Sequence, residues 1–316
     1  MFSTPVLLII WRRPNALRKL INAMRPIAPH NLYIACDGPR FDNNYEALQV
    51  ATSREVIDAE IDWPCRIERL YSDTNLGCSV GPIRAITWFF DQVDEGIILE
   101  DDCVPHADFF PYCSNLLERY RHDDRVWCVS GNSFLHGNLI QSELNESYYF
   151  SRYTLTWGWA SWSDRWSMYD PQIMHWPSLR DSGLLHQIFE DPYEVTYWSE
   201  IFERTFSQPQ LVSWWDYQWF FAGLIRGALT ATPRSNLVSN IGFGEGATHT
   251  LNPDTPIHPA FPLSPLTHSD FVVRHRDADS FIYAHHFGGI RRRRLRTLQQ
   301  RIIRRFNRAL AWIGLR

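Results

Sequence analysis

At 316 residues the chain is long enough for one large domain or two modest ones, and 45% hydrophobic against 21% charged residues excludes an intrinsically disordered chain. The formal charge of −4 hides an asymmetry: residues 290–316 hold ten of the 31 Lys and Arg residues and no acid, leaving 21 basic against 35 acidic residues elsewhere. No segment offers the roughly 20 apolar residues of a membrane-spanning helix, and the run from Val6 to Trp11 is too short, and too poor in preceding positive charge, for a secretory leader.

The first predicted strand is Val6–Ile10. After the loop Trp11-Arg12-Arg13-Pro14 comes a helix that Asn15 can cap, with Leu17, Leu20, Ile21 and Met24 at helical spacing. Leu32–Cys36 reads as a second strand ending at Asp37-Gly38-Pro39-Arg40, a turn that places an acid at the strand's carboxyl end. A polar helix covers roughly 45–59, a third strand 66–70, and Asn75 to Pro82 leads into a helix from about 83 to 93. The fourth strand, Gly96–Leu99, runs straight into Glu100-Asp101-Asp102. This alternation implies a mostly parallel α/β sheet with crossover helices, whose loops open on one edge and bring Arg12, Asp37, Asn75 and Asp102 to one crevice.

Beyond about Gly131 the alternation fades into an aromatic, proline-dotted stretch, read as an irregular lobe beside the sheet. The expected organisation is residues 1–130 and 131–289 as two halves of one domain, followed by the basic segment 290–316. Trp157, Trp159 and Trp162 lie in a stretch that suits a strand with one aromatic face, or else core packing. The aromatics between Tyr148 and Phe221 read equally as a thick core or as a sugar-stacking acceptor pocket. The six cysteines form no C-x-x-C pair and no zinc spacing, so reduced thiols in a cytosolic protein are expected.

Chain collapse does not call for three adjacent acids at the end of an apolar strand. A hard divalent cation, Mn2+ or Mg2+, would neutralise them and keep positions open for phosphate, and in α/β sheets ligands bind at the strands' carboxyl ends. A solvated acidic turn is the plain alternative. On the ligand reading Asp102 holds the metal, while Glu100 and Asp101 orient sugar hydroxyls or metal-bound water. Arg12, Arg13 or Arg84 would add a guanidinium against the phosphates, unless they are surface charge. Asp37 would accept hydrogen bonds from a nucleobase or ribose, or serve the turn. Asp216, in Trp214-Trp215-Asp216-Tyr217, suits a general base whose ring-lined surroundings raise its pKa, or a helix cap. The loop from Asn240 to His249 carries Gly242, Gly244 and Gly246. Its backbone can approach a ligand closely, with His249 as a second metal ligand and Glu245 near donor or acceptor.

Residues 291–316 read as a helix with Leu295, Leu298, Ile302, Phe306, Leu310 and Ile313 on one stripe among arginines. That is the pattern of a helix lying on an anionic membrane surface, with packing on the protein itself as the alternative. Nucleic acid is disfavoured by the complete apolar face and the acidic body.

Leu99-Glu100-Asp101-Asp102 through Pro105, Asp108, Phe109 and Phe110 resembles the metal-binding region of the N-acetylglucosaminyltransferase I family. The strand at Val126–Ser130, the pair Trp215-Asp216 and the glycine loop ending in His249 are similar in order and approximate spacing, from about residue 5 to 250. The resemblance implies a GT-A fold, a divalent metal, a nucleotide-sugar donor and inverting transfer. It carries Glu100, Asp101 and Asp102 to donor and metal binding and Asp216 to the base. The expectation is therefore a metal-dependent hexosyl- or N-acetylhexosaminyltransferase that uses a UDP-sugar and a glycan or lipid-linked glycan acceptor. It would resemble a bacterial relative, without a Golgi anchor, at the inner face of the cell membrane. A retaining transferase, a sugar nucleotidyltransferase and a non-catalytic glycan-binding protein are the alternatives.

Overall fold

A computed structural model describes residues 2–243 and 257–294. In chain order, β1 (Val6–Ile10), α1 (Pro14–Met24), β2 (Asn31–Cys36), α2 (Asn44–Glu60), β3 (Arg66–Tyr71), α3 (Gly77–Phe90) and β4 (Glu95–Glu100) alternate. They are followed by β5 (Cys103–Pro105), α4 (Phe109–Tyr120), β6 (Val126–Ser130), α5 (Leu139–Glu143), β7 (Tyr148–Ser151), β8 (Trp159–Trp162), α6 (Ser163–Trp166), α7 (Trp176–Ser182) and α8 (Leu185–Ile188). The remaining elements are α9 (Pro192–Ser207), a short 3-10 turn (Pro209–Leu211), α10 (Asp216–Leu224), β9 (Leu229–Pro233), β10 (Val238–Asn240) and α11 (Arg276–His285).

The main sheet has eight strands in the order β3-β2-β1-β4-β8-β6-β9-β7. β3, β2, β1 and β4 are parallel, with Val6 opposite both Leu32 and Ile97. β8 inserts antiparallel between β4 and β6, β6 and β9 pair parallel, and β7 closes the far edge antiparallel. A separate ribbon pairs β5 with β10, Cys103 opposite Asn240. The second half thus supplies strands to the same sheet, where the sequence suggests an irregular lobe with one candidate strand near Trp157–Trp162. Those strands are short and mix polar with aromatic residues, so they carry no strong period.

Side-chain alternation along the strands divides the core between the sheet's two faces. Val6, Leu8, Ile10, Leu32 and Ile34 join Leu17, Leu20, Ile21 and Met24 of α1 in one cluster. Leu7, Tyr33 and Ile98 join Ile86 and Phe89 of α3 in the other. A third cluster, built from Trp176, Trp198, Phe202, Phe220 and Phe221, forms the aromatic helical lobe. Ser151, Arg152, Glu194 and Asp279 tie α11 to that lobe through buried polar contacts, including Arg152 to Glu194 at 2.9 Å and Ser151 to Asp279 at 2.6 Å.

Three local expectations are corrected. α1 begins at Pro14, which suits the first helical position, and Asn15 lies inside it; Arg13 takes the cap position without capping, because a guanidinium has no acceptor for a backbone N–H, and its side chain goes to the acids of the crevice. α3 begins at Gly77 rather than near 83, because the Asp37 carboxylate accepts the N–H groups of Leu76 and Gly77 at 2.8 and 3.0 Å and anchors the helix start from another strand. The Trp157–Trp162 stretch does not present one aromatic face. Gly158 has φ +66°, the strand starts at Trp159, and Trp159 and Trp162, three residues apart, enter opposite cores.

Candidate functional site

The strand order places a topological switch between β1 and β4: the chain runs from β1 outward to β3, then returns to the other side of β1. Ligand crevices form outside the carboxyl ends of strands at such points. A cavity of about 630 Å³ lies there. Trp11, Asp37, Leu70, Ser72 and Asn75 line its β3–β1 side, Arg13, Glu100, Asp101 and Asp102 its centre, and Trp157, Trp214–Tyr217, Asn240, Gly242 and Phe243 its remaining wall.

The acids at the end of β4 are held from α1 and the β1 loop. Asp101 accepts the backbone N–H of Trp11 at 3.0 Å and the Arg13 guanidinium at 3.3 Å, and Arg13 also pairs with Asp102. Asp101 and Asp102 are nearly fully buried. Burial raises the Asp101 pKa against the pull of Arg13. Glu100 is raised further, by burial first and then by repulsion from Asp102 and Asp101. Burial disfavours the charge of Arg13, yet the three acids together hold its pKa above the usual value. A cation is therefore not needed for Asp101 and Asp102 to be tolerated, as their adjacency suggested: Arg13 already compensates them.

Among the described residues no group of three His, Cys, Asp or Glu side chains is arranged to hold a metal ion. The donor set suits a more limited attachment. Glu100 and Asp102 both border the cavity, and Glu100 makes no side-chain hydrogen bond or ion pair among the described residues. Mg2+ and Mn2+ accept one or two carboxylates of this kind and complete their shell with water and phosphate.

Asp102 is also approached from behind by the β5–β10 ribbon. Ile241 donates its N–H to the Asp102 carbonyl at 2.9 Å, and Gly242 sits so close that a Cβ there would overlap the Asp102 carboxylate. The glycine loop therefore begins with a close approach to an acid. Glu245 and His249 lie outside the described residues.

Asp216 is the first residue of α10, one position past the helix cap at Trp215. Its neighbours are pinned: the Trp214 carbonyl accepts Ser79 Oγ at 3.2 Å and Gln218 Nε2 at 3.1 Å, and the Trp215 carbonyl accepts the Tyr169 hydroxyl at 3.1 Å. Asp216 lies near enough to the β4 acids for its charge to help raise Glu100. A single chamber thus brings together acids separated by more than a hundred residues.

Other expected residues divide. Arg84 is exposed on the cavity wall and makes no ion pair among the described residues. Asp37 and Asn75 reach the cavity but are engaged with each other at 2.9 Å, and Asp37 spends its oxygens on backbone N–H groups, which makes it an organiser of the loop. Arg12 is not in the cavity lining. It is turned aside by buried Glu46 at 2.8 Å and lies 4.3 Å over the Trp11 ring. Arg13 takes the inward position instead. Most of the aromatics form core, but Trp157, Trp214, Trp215 and Tyr217 line the cavity. In the sequence Trp157 is one of many aromatics that suit core or acceptor pocket alike; the glycine that follows it is the distinguishing signal, since a positive φ there turns the chain out of the strand.

No protein-family model and no curated protein sequence matches this chain.

Proposed function

We propose that this protein is a metal-dependent, inverting glycosyltransferase of the GT-A type, moving a sugar from a nucleoside-diphosphate donor to a glycan hydroxyl. The observation that carries the reading is the convergence of the β4 acids, Arg13 and Asp216 on one chamber at the switch point of a mostly parallel sheet. On this reading the nucleoside lies along the β3–β1 side, against Trp11, Leu70 and Ser72. Arg13 and Arg84 meet the diphosphate with charge-assisted hydrogen bonds. Asp102, with Glu100, would hold Mn2+ or Mg2+; when bound, the cation neutralises the diphosphate and acts as a Lewis acid for the departing phosphate. Asp216 accepts the proton of the acceptor hydroxyl as it attacks.

A UDP-sugar donor and a lipid-linked acceptor complete the reading, with residues 290–316 bound to an anionic membrane surface. Within that segment Arg292 and Arg293 pair with Glu200 at 2.9 Å and Asp191 at 2.5 Å, so its first turn engages the protein body. Residues 295–316 lie outside the described residues. Among the described residues no helix is long and apolar enough to cross a membrane.

Asp216→Asn tests the base. Transfer should be lost while nucleoside-diphosphate affinity stays within about twofold, and NMR of the wild-type product should show an inverted anomeric centre. Full turnover by the variant, or retention of configuration, would overturn the assignment.

A further inference from the structure

Four tryptophans line the cavity, and three are committed. Trp11 donates its indole N–H to the Gly38 carbonyl at 3.0 Å and has the Arg12 and Arg40 guanidiniums over its ring. Trp214 donates to Thr205 at 3.1 Å with Arg204 5.0 Å from its ring centre. Trp215 is buried among Trp159 and Trp166.

Trp157 differs in each respect. It is half-buried, and its indole N–H makes no hydrogen bond among the described residues. Phe134, Phe243 and His286 meet its ring at interplanar angles of 77°, 66° and 90°, and His258 lies 6.5 Å away. These rings fix its orientation, yet none stacks parallel upon it.

The fold also determines where this ring stands. β8 runs antiparallel to β4 with Trp159 opposite Ile98, so the residues before Trp159 reach the end of β4, where the acids are. Gly158 makes the turn that separates Trp157 from the strand. A Cβ at Gly158 would lie 2.8 Å from Val238, so the turn is tightly enclosed as well as left-handed. Trp157 therefore stands beyond the acids, on the side of β4 away from Trp11, and Asp216 borders the same cavity.

We infer that Trp157 is the platform for the acceptor sugar, taking the apolar C–H face of a pyranose while its indole N–H donates to a ring hydroxyl. This rests on the transferase reading and adds the acceptor's chemistry: a pyranose with a contiguous apolar face, presented beside Asp216. A ring with one amphipathic edge suits this task, because the sugar is itself apolar on a face and polar at its rim.

The test uses the full chain labelled with 5-fluorotryptophan, with the 19F resonances of Trp157 and Trp11 assigned through Trp157→Phe and Trp11→Phe. UDP with Mn2+ is added first, then methyl β-D-galactopyranoside, glucopyranoside and mannopyranoside in turn. The inference expects the Trp11 resonance to move with UDP and the Trp157 resonance to move saturably with at least one pyranoside. In wild-type background, Trp157→Leu should weaken that pyranoside about tenfold and leave UDP affinity within twofold, with Trp157→Phe in between. A Trp157 resonance unmoved by all three sugars, with UDP still moving Trp11, overturns the platform alone. No response of either resonance to UDP would instead remove the transferase reading beneath it.

Discussion

Replacing Arg13 by Met removes the countercharge from two buried carboxylates while keeping much of the side chain's volume. Arg13 is 21% exposed, and Asp101 and Asp102 are 8% and 9% exposed, so the loss falls on acids that water scarcely reaches. Breaking a buried ion pair costs about 3–5 kcal/mol, and the partial exposure of Arg13 places this case near the lower end, about 3 kcal/mol. At about 2–4 °C per kcal/mol for domains of this order, the melting temperature should drop by about 6–12 °C near pH 8. The pH dependence has a definite sign. Burial already raises the folded-state pKa of Asp101, and Arg13 is what opposes that rise. With Arg13 present the native state already binds more protons than the unfolded chain, since Asp101 is raised to about 6 and Glu100 to about 8; removing Arg13 raises both further, so the variant's native state binds more protons than the wild type's and the deficit shrinks as pH falls from about pH 8 to about pH 5. Millimolar Mn2+ should restore more stability to the variant than to the wild type, because a cation would then occupy uncompensated charge. Differential scanning calorimetry across pH measures all three. A variant melting within about 1 °C of wild type at pH 8, with no pH trend, would refute the charge argument.

Gly242→Ala drives a methyl group into the Asp102 carboxylate, with the Asp102 Cγ only 2.7 Å from the new carbon; stability should fall by about 1–3 kcal/mol while UDP affinity falls at least about tenfold, and unchanged affinity by calorimetry would contradict the placement of Asp102 in the donor site. Cys78 borders the cavity, and burial raises its pKa with help from Glu100 and Asp37. Its alkylation by iodoacetamide should be slow at pH 7, accelerate above about pH 9, and be suppressed by UDP with Mn2+; mass spectrometry showing labelling indifferent to nucleotide would remove it from the ligand's path.

The half of the molecule that holds the acids was legible because its strands carry strong local signals. β1, β2 and β4 are buried on both faces and therefore read as short apolar runs, and the acids Glu100-Asp101-Asp102 mark where the last of them ends. What could not be read is what long-range pairing decides. Nothing local says that β8 inserts backward between β4 and β6, yet that insertion carries Trp157 to the acids. Arg12 and Arg13 are indistinguishable in a sequence; buried Glu46, in the first turn of α2, selects which one turns inward. Asp37 shows the converse. Its position at a strand end suggested a ligand contact, while the N–H groups that claim it come from the start of α3. The glycine loop reads as a place of close approach, and the group that approaches Gly242 is a carboxylate of the protein itself.

If the acids closing β4 bind a cation and, through it, a nucleoside diphosphate, UDP affinity depends on both Asp102 and Mn2+. Isothermal titration calorimetry of UDP into wild type and Asp102→Asn, each with and without Mn2+, addresses it most directly. Saturable binding is expected only for wild type with Mn2+; UDP affinity that is the same in all four titrations, or no heat from UDP in any, would contradict cation-bridged binding.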